Sequence, residues 1–134
     1  MAAAAGILHS AAVGEDGSLF VWGRGAYGQL GTGDTDSSLT PTRVAGLPAP
    51  VRQVAAGYYH TGIVTEAGDL LMCGRGGYGQ LGLGNKDNRA TPTLVARAVF
   101  DGEAVLMVAC RDAHTVVATE GGGVYTFGLS LIHI

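Results

Sequence analysis

The sequence of 134 residues is poor in charge, proline, cysteine and lysine. Only 14% of its residues are charged against 47% hydrophobic, so it is too apolar for a disordered segment and is expected to bury a core. Its length leaves room for one ordinary domain at most. With a formal net charge of −3 and Lys86 as its one lysine, it has no basic stripe to follow a phosphate backbone. We expect no direct nucleic-acid partner.

Two further absences bear on the compartment. Cys73 and Cys110 form no C-x-x-C pair, so neither a zinc knuckle nor a disulfide scaffold is indicated. The apolar start, residues 1–14, lacks the basic residues that open a signal peptide, and no apolar run approaches the roughly 20 residues of a membrane span. We expect an intracellular protein of the reducing cytoplasm or nucleus, without membrane contact.

Glycine and repetition are what the sequence has in abundance. It contains 23 glycines, many of them in RGAYGQLGTGD at 24–34, which returns as RGGYGQLGLGN at 75–85. The same offset of 51 positions carries His9 to His60. The chain is therefore built from repeated units of about fifty residues.

A third copy of the unit is shifted slightly. His114 follows His60 by 54 positions, so three additional residues separate these copies. We expect the insertion near Asp101 and Gly102, where a surface loop can absorb extra residues at little entropic cost.

Each unit shows the pattern of four short strands. VRQVAAG, HTGIVTEAG and DLLMCG are apolar segments bounded by glycine or turn residues, and TPTLVA follows with Pro92 suited to the start of an edge strand. No segment has helical periodicity. Repeats of this length without helices predict the blades of a β-propeller, because solenoids of that period are mostly helical.

Several motifs in fixed order resemble the RCC1 (regulator of chromosome condensation) repeat. They are YGQLG, the segment AAG-x-x-H-T/S, and a glycine that follows Trp22, Cys73 and Phe127. The resemblance covers residues 1–128 and implies a seven-bladed propeller. We therefore predict an all-β fold of four-stranded antiparallel β-propeller blades that is an incomplete part of such a ring, with RCC1-like repeats at 1–50 (partial), 51–104 and 105–128 (partial).

The last six residues break the pattern. Where the repeat calls for RGGYGQLG, residues 129–134 read LSLIHI, which one frame of a common transposase sequencing adapter also encodes. We interpret this tail as non-native and expect the natural protein to continue. Blades with uncovered faces are expected to self-associate when the chain is isolated.

The repeated polar and glycine residues suggest no cofactor, metal or catalytic site. Segments 23–28 and 74–79 match G-x-G-x-x-G, but a dinucleotide site needs a helix to follow, and the residues that follow cannot form one. We interpret these glycines as allowing positive φ and close packing between strands. Loops 34–36 and 85–88 lack the glycine and closing glutamate of a calcium site and are predicted to be solvated turns.

The three repeated histidines, His9, His60 and His114, are expected to bond to nearby backbone, since equivalent positions on successive blades do not converge on one ion. Cys73 and Cys110 are predicted to be core residues. Since no constellation of catalytic residues is present, we do not expect an enzyme.

The RCC1 resemblance also supplies candidate partner-binding residues. It implies that the two residues between the AAG glycine and each histidine face a partner on one rim, and that some are acidic in the founding member, an exchange factor for the GTPase Ran. The candidates in this chain are Ile7, Leu8, Tyr58, Tyr59 and Asp112. The alternative is that these side chains pack against the next blade. Arg111 replaces the glycine that the resemblance leads one to expect, a departure from the family's pattern at this turn.

We predict a protein-protein interaction module within a larger regulatory protein, such as a HERC-type ubiquitin ligase or a kinase with appended repeats. The alternative is guanine-nucleotide exchange on a Ran-like small GTPase. No hairpin of the kind that the resemblance implies for exchange is inserted in these repeats, which weighs against it.

Overall fold

The computed structural model describes residues 2–5 and 8–128 and contains three antiparallel β-sheets. Blade 1 consists of β1 (Ala2–Ala5), β2 (His9–Val13), β3 (Leu19–Gly23) and β4 (Ser38–Arg43). Blade 2 consists of β5 (Val51–Ala56), β6 (His60–Thr65), β7 (Leu70–Gly74) and β8 (Arg89–Val95), and blade 3 of β9 (Val105–Arg111), β10 (His114–Thr119) and β11 (Val124–Gly128). Each strand pairs with its neighbours in chain order. The predicted all-β fold of four-stranded antiparallel blades is confirmed.

The strand register brings two kinds of loop to one rim of every blade. The second strand starts opposite the end of the third, which gives the pairs His9–Gly23, His60–Gly74 and His114–Gly128. Loops between first and second strands and between third and fourth strands therefore share this rim, which we call the histidine rim. Of the candidate partner-binding residues, Leu8, Tyr58, Tyr59 and Asp112 belong to loops of this rim.

The hydrophobic core lies between the blades. One cluster joins blades 1 and 2 and includes Val13, Leu30 and Ile63; a second joins blades 2 and 3 and includes Met72 and Val117. Alternating side chains of a strand point to opposite faces of its sheet, so a blade with two neighbours can bury both sets. The hydrophobic core therefore forms where the faces of neighbouring blades meet.

The glycine-rich segment of blade 1 crosses onto blade 2. Gly28 has a φ of 82°, and a Cβ atom there would lie 2.5 Å from the Cα of Ala90. The Gly33 N–H donates to the Ala90 carbonyl at 2.9 Å. Turns, and no helix, follow Gly28 and Gly79. The glycines therefore serve positive φ and close packing, as predicted.

The linker between blades 2 and 3 differs from the sequence expectation in one respect. The insertion does lie where it was predicted, but it forms a single 3-10 turn, Arg97–Phe100, which ends at Asp101 with a φ of 54°. The turn places Phe100, fully buried, into the core between these blades. The extra residues thus add packing, which periodicity over so short a segment cannot reveal.

The edge strand with Pro92 and the two polar turns are present, although the edge strand begins earlier than expected. β8 begins at Arg89 and holds Pro92 in its interior, which an outermost strand tolerates because its free edge needs no donor. Asp34 and Asn85 accept hydrogen bonds from the backbone two residues on, so these loops are turns as predicted.

Cys73 is 1% exposed, and desolvation raises the pKa of its thiol to about 12. Cys110 is partly buried against the second cluster. Both therefore pack as predicted. Within the described part of the chain, no helix is long and apolar enough to cross a membrane. The interpretation of the tail concerns residues 129–134, outside the described residues.

Candidate partner-binding rim

A relay of hydrogen bonds joins each blade to the next beneath the histidine rim. His9 Nε2 of blade 1 lies 2.7 Å from the Thr61 Oγ1 of blade 2, and that hydroxyl donates to the Gln29 carbonyl at 2.6 Å. The next interface repeats the arrangement: His60 Nε2 lies 3.0 Å from Thr115 Oγ1, which donates to the Gln80 carbonyl at 2.6 Å. The repeats therefore conserve a cross-blade contact as well as a strand pattern.

The acceptors fix the protonation of these histidines. Each threonine hydroxyl donates its one proton to the backbone carbonyl of a glutamine, so the hydroxyl oxygen accepts a hydrogen bond from the histidine Nε2–H. His60 Nε2 also lies 3.2 Å from the His114 carbonyl, which can only accept. The Nδ1 atoms of His9 and His60 are buried without a partner among the described residues. Desolvation lowers the pKa of both to about 4, so both rings are neutral at pH 7.

The expectation that these histidines bond nearby backbone is met in part. His60 Nε2 lies near the backbone carbonyl of His114, whereas the described partner of His9 is the Thr61 hydroxyl, and both contacts reach into the following blade. The His60 ring folds over Gly57, where a Cβ would lie 2.5 Å from its Cε1, and this close approach directs Nε2 across the interface.

The relay continues into the loops of the histidine rim. The Gln29 Oε1 accepts from the backbone N–H of Tyr27 at 2.9 Å, and the Gln80 Oε1 accepts from that of Tyr78 at 2.8 Å. Both glutamines are buried. The tyrosine-bearing loops are therefore held from below by the contact that joins the blades.

Four tyrosines and one arginine gather on this rim, and we call them the tyrosine cluster: Tyr27, Tyr58, Tyr59, Tyr78 and Arg75. Tyr27 and Tyr59 meet edge to face with ring centres 4.9 Å apart, and Tyr58 and Tyr59 with centres 6.4 Å apart. The Tyr27 contact crosses from blade 1 to blade 2. Aromatic pairs of this geometry are favourable beyond the area they bury.

The structure separates the predicted candidates. Tyr58 is 38% exposed, whereas Tyr59 is half-buried against Tyr27 of the preceding blade. Leu8 is half-buried, and its carbonyl accepts from the Arg24 N–H at 2.8 Å. Ile7 lies outside the described residues. Tyr58 thus presents a side chain to solvent, while Tyr59 packs against the preceding blade. The role of either residue in binding stays a prediction.

Asp112 of blade 3 and Tyr58 of blade 2 line the same cavity. The Asp112 carboxylate raises the pKa of the Tyr58 phenol, because a nearby acceptor with a negative charge favours the neutral form. Asp112 itself has a φ of 42°, so the turn after Arg111 uses a left-handed aspartate. Asp is among the residues that accept this conformation most readily. The replacement of glycine by Arg111 therefore leaves a tight turn intact.

Sequence reasoning missed Tyr27, Arg75 and Tyr78. It treated the segments 24–34 and 75–85 as glycine corners and gave their side chains no role. A signal was present, because the tyrosine and the arginine recur at the same positions in both segments. Their gathering around one point depends on how two rim loops and the next blade meet, which the repeat pattern does not state.

The repeated antiparallel units pack face to face, and each contacts the next through a glycine-rich loop. This arrangement is characteristic of a β-propeller repeat protein. The RCC1 repeat profile, described as "Regulator of chromosome condensation (RCC1) repeat", matches residues 16–64 and 67–118, and a second profile of that description matches 2–29 and 51–80. The chain belongs to the RCC1 repeat family.

Relatives share this part of their sequence. The Ultraviolet-B receptor UVR8 of Arabidopsis thaliana is 43% identical over 95% of this chain, and the probable E3 ubiquitin-protein ligase HERC4 of Mus musculus is 36% identical over 93%. The chain spans 29% of the first protein and 12% of the second.

Solved structures agree. Human WBSCR16 superposes with a TM-score of 0.83 at 29% identity, covering 94% of this chain and 33% of that one. A structure of Kap60 bound to yeast RCC1 (Prp20) gives 0.82 at 26%, covering 94% and 31%.

Proposed function

We propose that this chain is a protein-interaction module of a larger regulatory protein, and that the histidine rim is its binding surface. The observation that carries the proposal is the tyrosine cluster, in which Tyr58 and Tyr78 are 38% and 47% exposed beside Arg75. Tyrosine and arginine supply much of the binding energy at protein interfaces, because they offer large rigid surfaces with polar ends. Leu8, Tyr59 and Asp112 support or border this surface, and Ile7 remains a candidate from the sequence.

The opposite rim is a poorer surface for such a partner. Its loops carry the carboxylates of Glu15, Asp16, Glu66 and Glu120, all exposed. Acidic residues are depleted in the centre of interfaces, since their desolvation is costly. We therefore assign the partner to the rim that holds the aromatic rings. No catalytic step, cofactor or nucleic acid is part of the proposal.

The test compares matched rim variants in extracts of the source cells. Tyr58→Ser with Tyr78→Ser should reduce recovery of a partner about tenfold or more, the scale expected when interface anchors are lost. Glu66→Ser with Glu120→Ser, on the opposite rim, should leave recovery unchanged. Equal recovery with both double variants would show that the histidine rim is not the binding surface.

Nucleotide exchange on a Ran-like GTPase is the second candidate, and Asp112 favours it as an acidic side chain at the rim position that the family resemblance singles out. A related structure describes the binding of Prp20p to Gsp1p and histones. Acceleration of GDP release from a Ran-like GTPase that is lost in Asp112→Asn would support exchange. Binding without acceleration would favour the interaction module alone.

A further inference from the structure

The guanidinium of Arg75 is surrounded by tyrosine rings. Its Cζ lies 5.1 Å from the ring centre of Tyr27, 5.8 Å from that of Tyr59 and 5.4 Å from that of Tyr78. A cation within about 6 Å of a ring face is attracted by the ring quadrupole. The Tyr27 ring comes from the preceding blade, so the position of this cation is determined by two blades together.

The side chain of Arg75 makes no hydrogen bond with the described residues. Two other arginines do make such bonds: Arg52 donates to the Val105 carbonyl at 2.7 Å, and Arg97 donates to the Asp69 carboxylate at 2.9 Å. Among residues 2–5 and 8–128, no group accepts a hydrogen bond from the Arg75 side chain and no carboxylate forms an ion pair with it. Arg75 is thus a half-buried cation that three rings hold in place, and the described residues use none of its donors.

Arg24 shows that this arrangement is specific to one site. It occupies the equivalent position in the first copy of the segment and is exposed. In the described part of the chain, no aromatic ring lies over it. Both arginines are flanked by glycines, and they differ in exposure and in the rings that surround Arg75.

We propose that Arg75 binds an acidic side chain of the protein partner, with apolar residues of the same segment against Tyr58 and Tyr78. This inference rests on the proposed function of the rim. The planar guanidinium donates two parallel hydrogen bonds to a carboxylate, and the rings hold its plane before binding, which lowers the entropy lost in the complex. A polyphosphate is a poorer fit, because Asp112 lies on the same rim and the chain carries a net charge of −3.

The experiment titrates the chain with a short blocked peptide of leucine and glutamate, and with its leucine and glutamine counterpart. Binding is followed by NMR through the backbone amide signals of Tyr58 and Tyr78 in every variant, with the Nε–H resonance of Arg75 as a further probe where the arginine is kept. The amide signals of β6 report that the fold is intact. We expect saturable binding of the glutamate peptide in the millimolar range or tighter and none of the glutamine peptide. Arg75→Gln should weaken binding about tenfold, the scale of a lost charge-assisted pair, and Arg75→Lys should restore part of it.

Arg24→Gln is the matched control and should change the affinity less than about twofold, because an exposed cation contributes little. Equal weakening by both glutamine variants would overturn the inference in favour of diffuse attraction. Equal binding of both peptides, or no saturable binding, would also overturn it. If the peptide fails while the tyrosine variants still lose the cellular partner, the rim is the binding surface and only the assignment to Arg75 is wrong.

Discussion

The second strand of each blade is buried to a different extent in the middle blade and in its two neighbours. All six residues of β6 are buried, whereas β2 in blade 1 and β10 in blade 3 bury only alternate residues. The buried residues of β2 and β10 face blade 2, and those of β6 face both neighbours. A strand of this repeat becomes fully buried only when a blade lies on each side, so stability resides in the interfaces between repeats.

Acidification is expected to have the largest effect, because it acts on both interfaces at once. Burial lowers the pKa of His9 and His60 from 6.5 to about 4, so the unfolded chain binds more protons than the folded chain between these values. The free energy of unfolding should be level above about pH 7 and fall as the pH drops toward 4, by up to about 3 kcal/mol for each histidine. Urea denaturation at a series of pH values measures this.

Replacing the two buried histidines tests the cause. His9→Gln with His60→Gln should flatten the pH dependence, whatever the absolute stability of the variant. His114 lies at a half-buried position of blade 3. His114→Gln should therefore keep the dependence of the unfolding free energy on pH that His9 and His60 cause. An unchanged slope in the double variant would assign the effect to other groups.

Truncation of an interface side chain should have the next largest effect. Ile63 is 1% exposed and lies in the cluster between blades 1 and 2. Ile63→Ala should therefore cost about 2–5 kcal/mol through lost burial and a cavity. Val116→Ala, on the outer side of the corresponding strand of blade 3, should cost less than about 1 kcal/mol. Urea denaturation measures both free energies of unfolding. Equal losses in the two variants would contradict the greater importance of the middle blade.

Removal of one relay hydroxyl comes third. Thr61→Val keeps the shape but leaves the His9 Nε2–H without its acceptor, at a cost of about 1–3 kcal/mol. Ser10 occupies the equivalent position on the outer face of blade 1, where its side chain makes no hydrogen bond with the described residues. Ser10→Ala should therefore stay within about 0.5 kcal/mol of the parent in thermal denaturation. If Ser10→Ala lowered the free energy of unfolding as much as Thr61→Val does, the loss in Thr61→Val could not be attributed to the relay.

The smallest expected effect concerns contacts between copies of the chain. Leu39 of β4 is 97% exposed, while its counterpart Ala90 accepts a hydrogen bond from the loop of the preceding blade. We expect the isolated chain to self-associate through contacts that bury Leu39. Leu39→Asp should weaken the association constant several-fold, which corresponds to the loss of about 1 kcal/mol of burial free energy. Sedimentation velocity measures it, with Thr40→Asp as the control for added charge. Equal weakening by the two variants would favour general repulsion over contact at Leu39.

Most of the fold could be predicted because repetition makes each strand visible more than once. The segments around His9, His60 and His114 and the recurring glycines located strands and corners by comparison within one chain. The 3-10 turn at Arg97–Phe100 was missed, since it occurs in the inserted linker and has no second copy. The start of β8 at Arg89 was missed because its first residues are polar.

The site was predicted less completely because its contacts cross between blades. The dipeptides His60-Thr61 and His114-Thr115 showed that threonine follows histidine, but not that the hydroxyl serves the histidine of the preceding unit. The position of Arg75 depends on a ring from blade 1, which no local pattern contains. Tyr58 and Asp112 were named from the family resemblance, and their role in binding stays a prediction.

The duplicated His-Thr-Gln relay bears on how such a gene can change. Because successive junctions use the same donor and the same acceptors, unequal recombination that adds or removes a whole number of units rejoins faces that already fit. A crossover that shifted the frame by part of a unit would set a histidine opposite the wrong strand position and leave it buried without an acceptor. Within this chain the linker that contains residues 97–102 is longer than its counterpart, while the spacing from histidine to glutamine is the same for His9 and Gln29 as for His60 and Gln80.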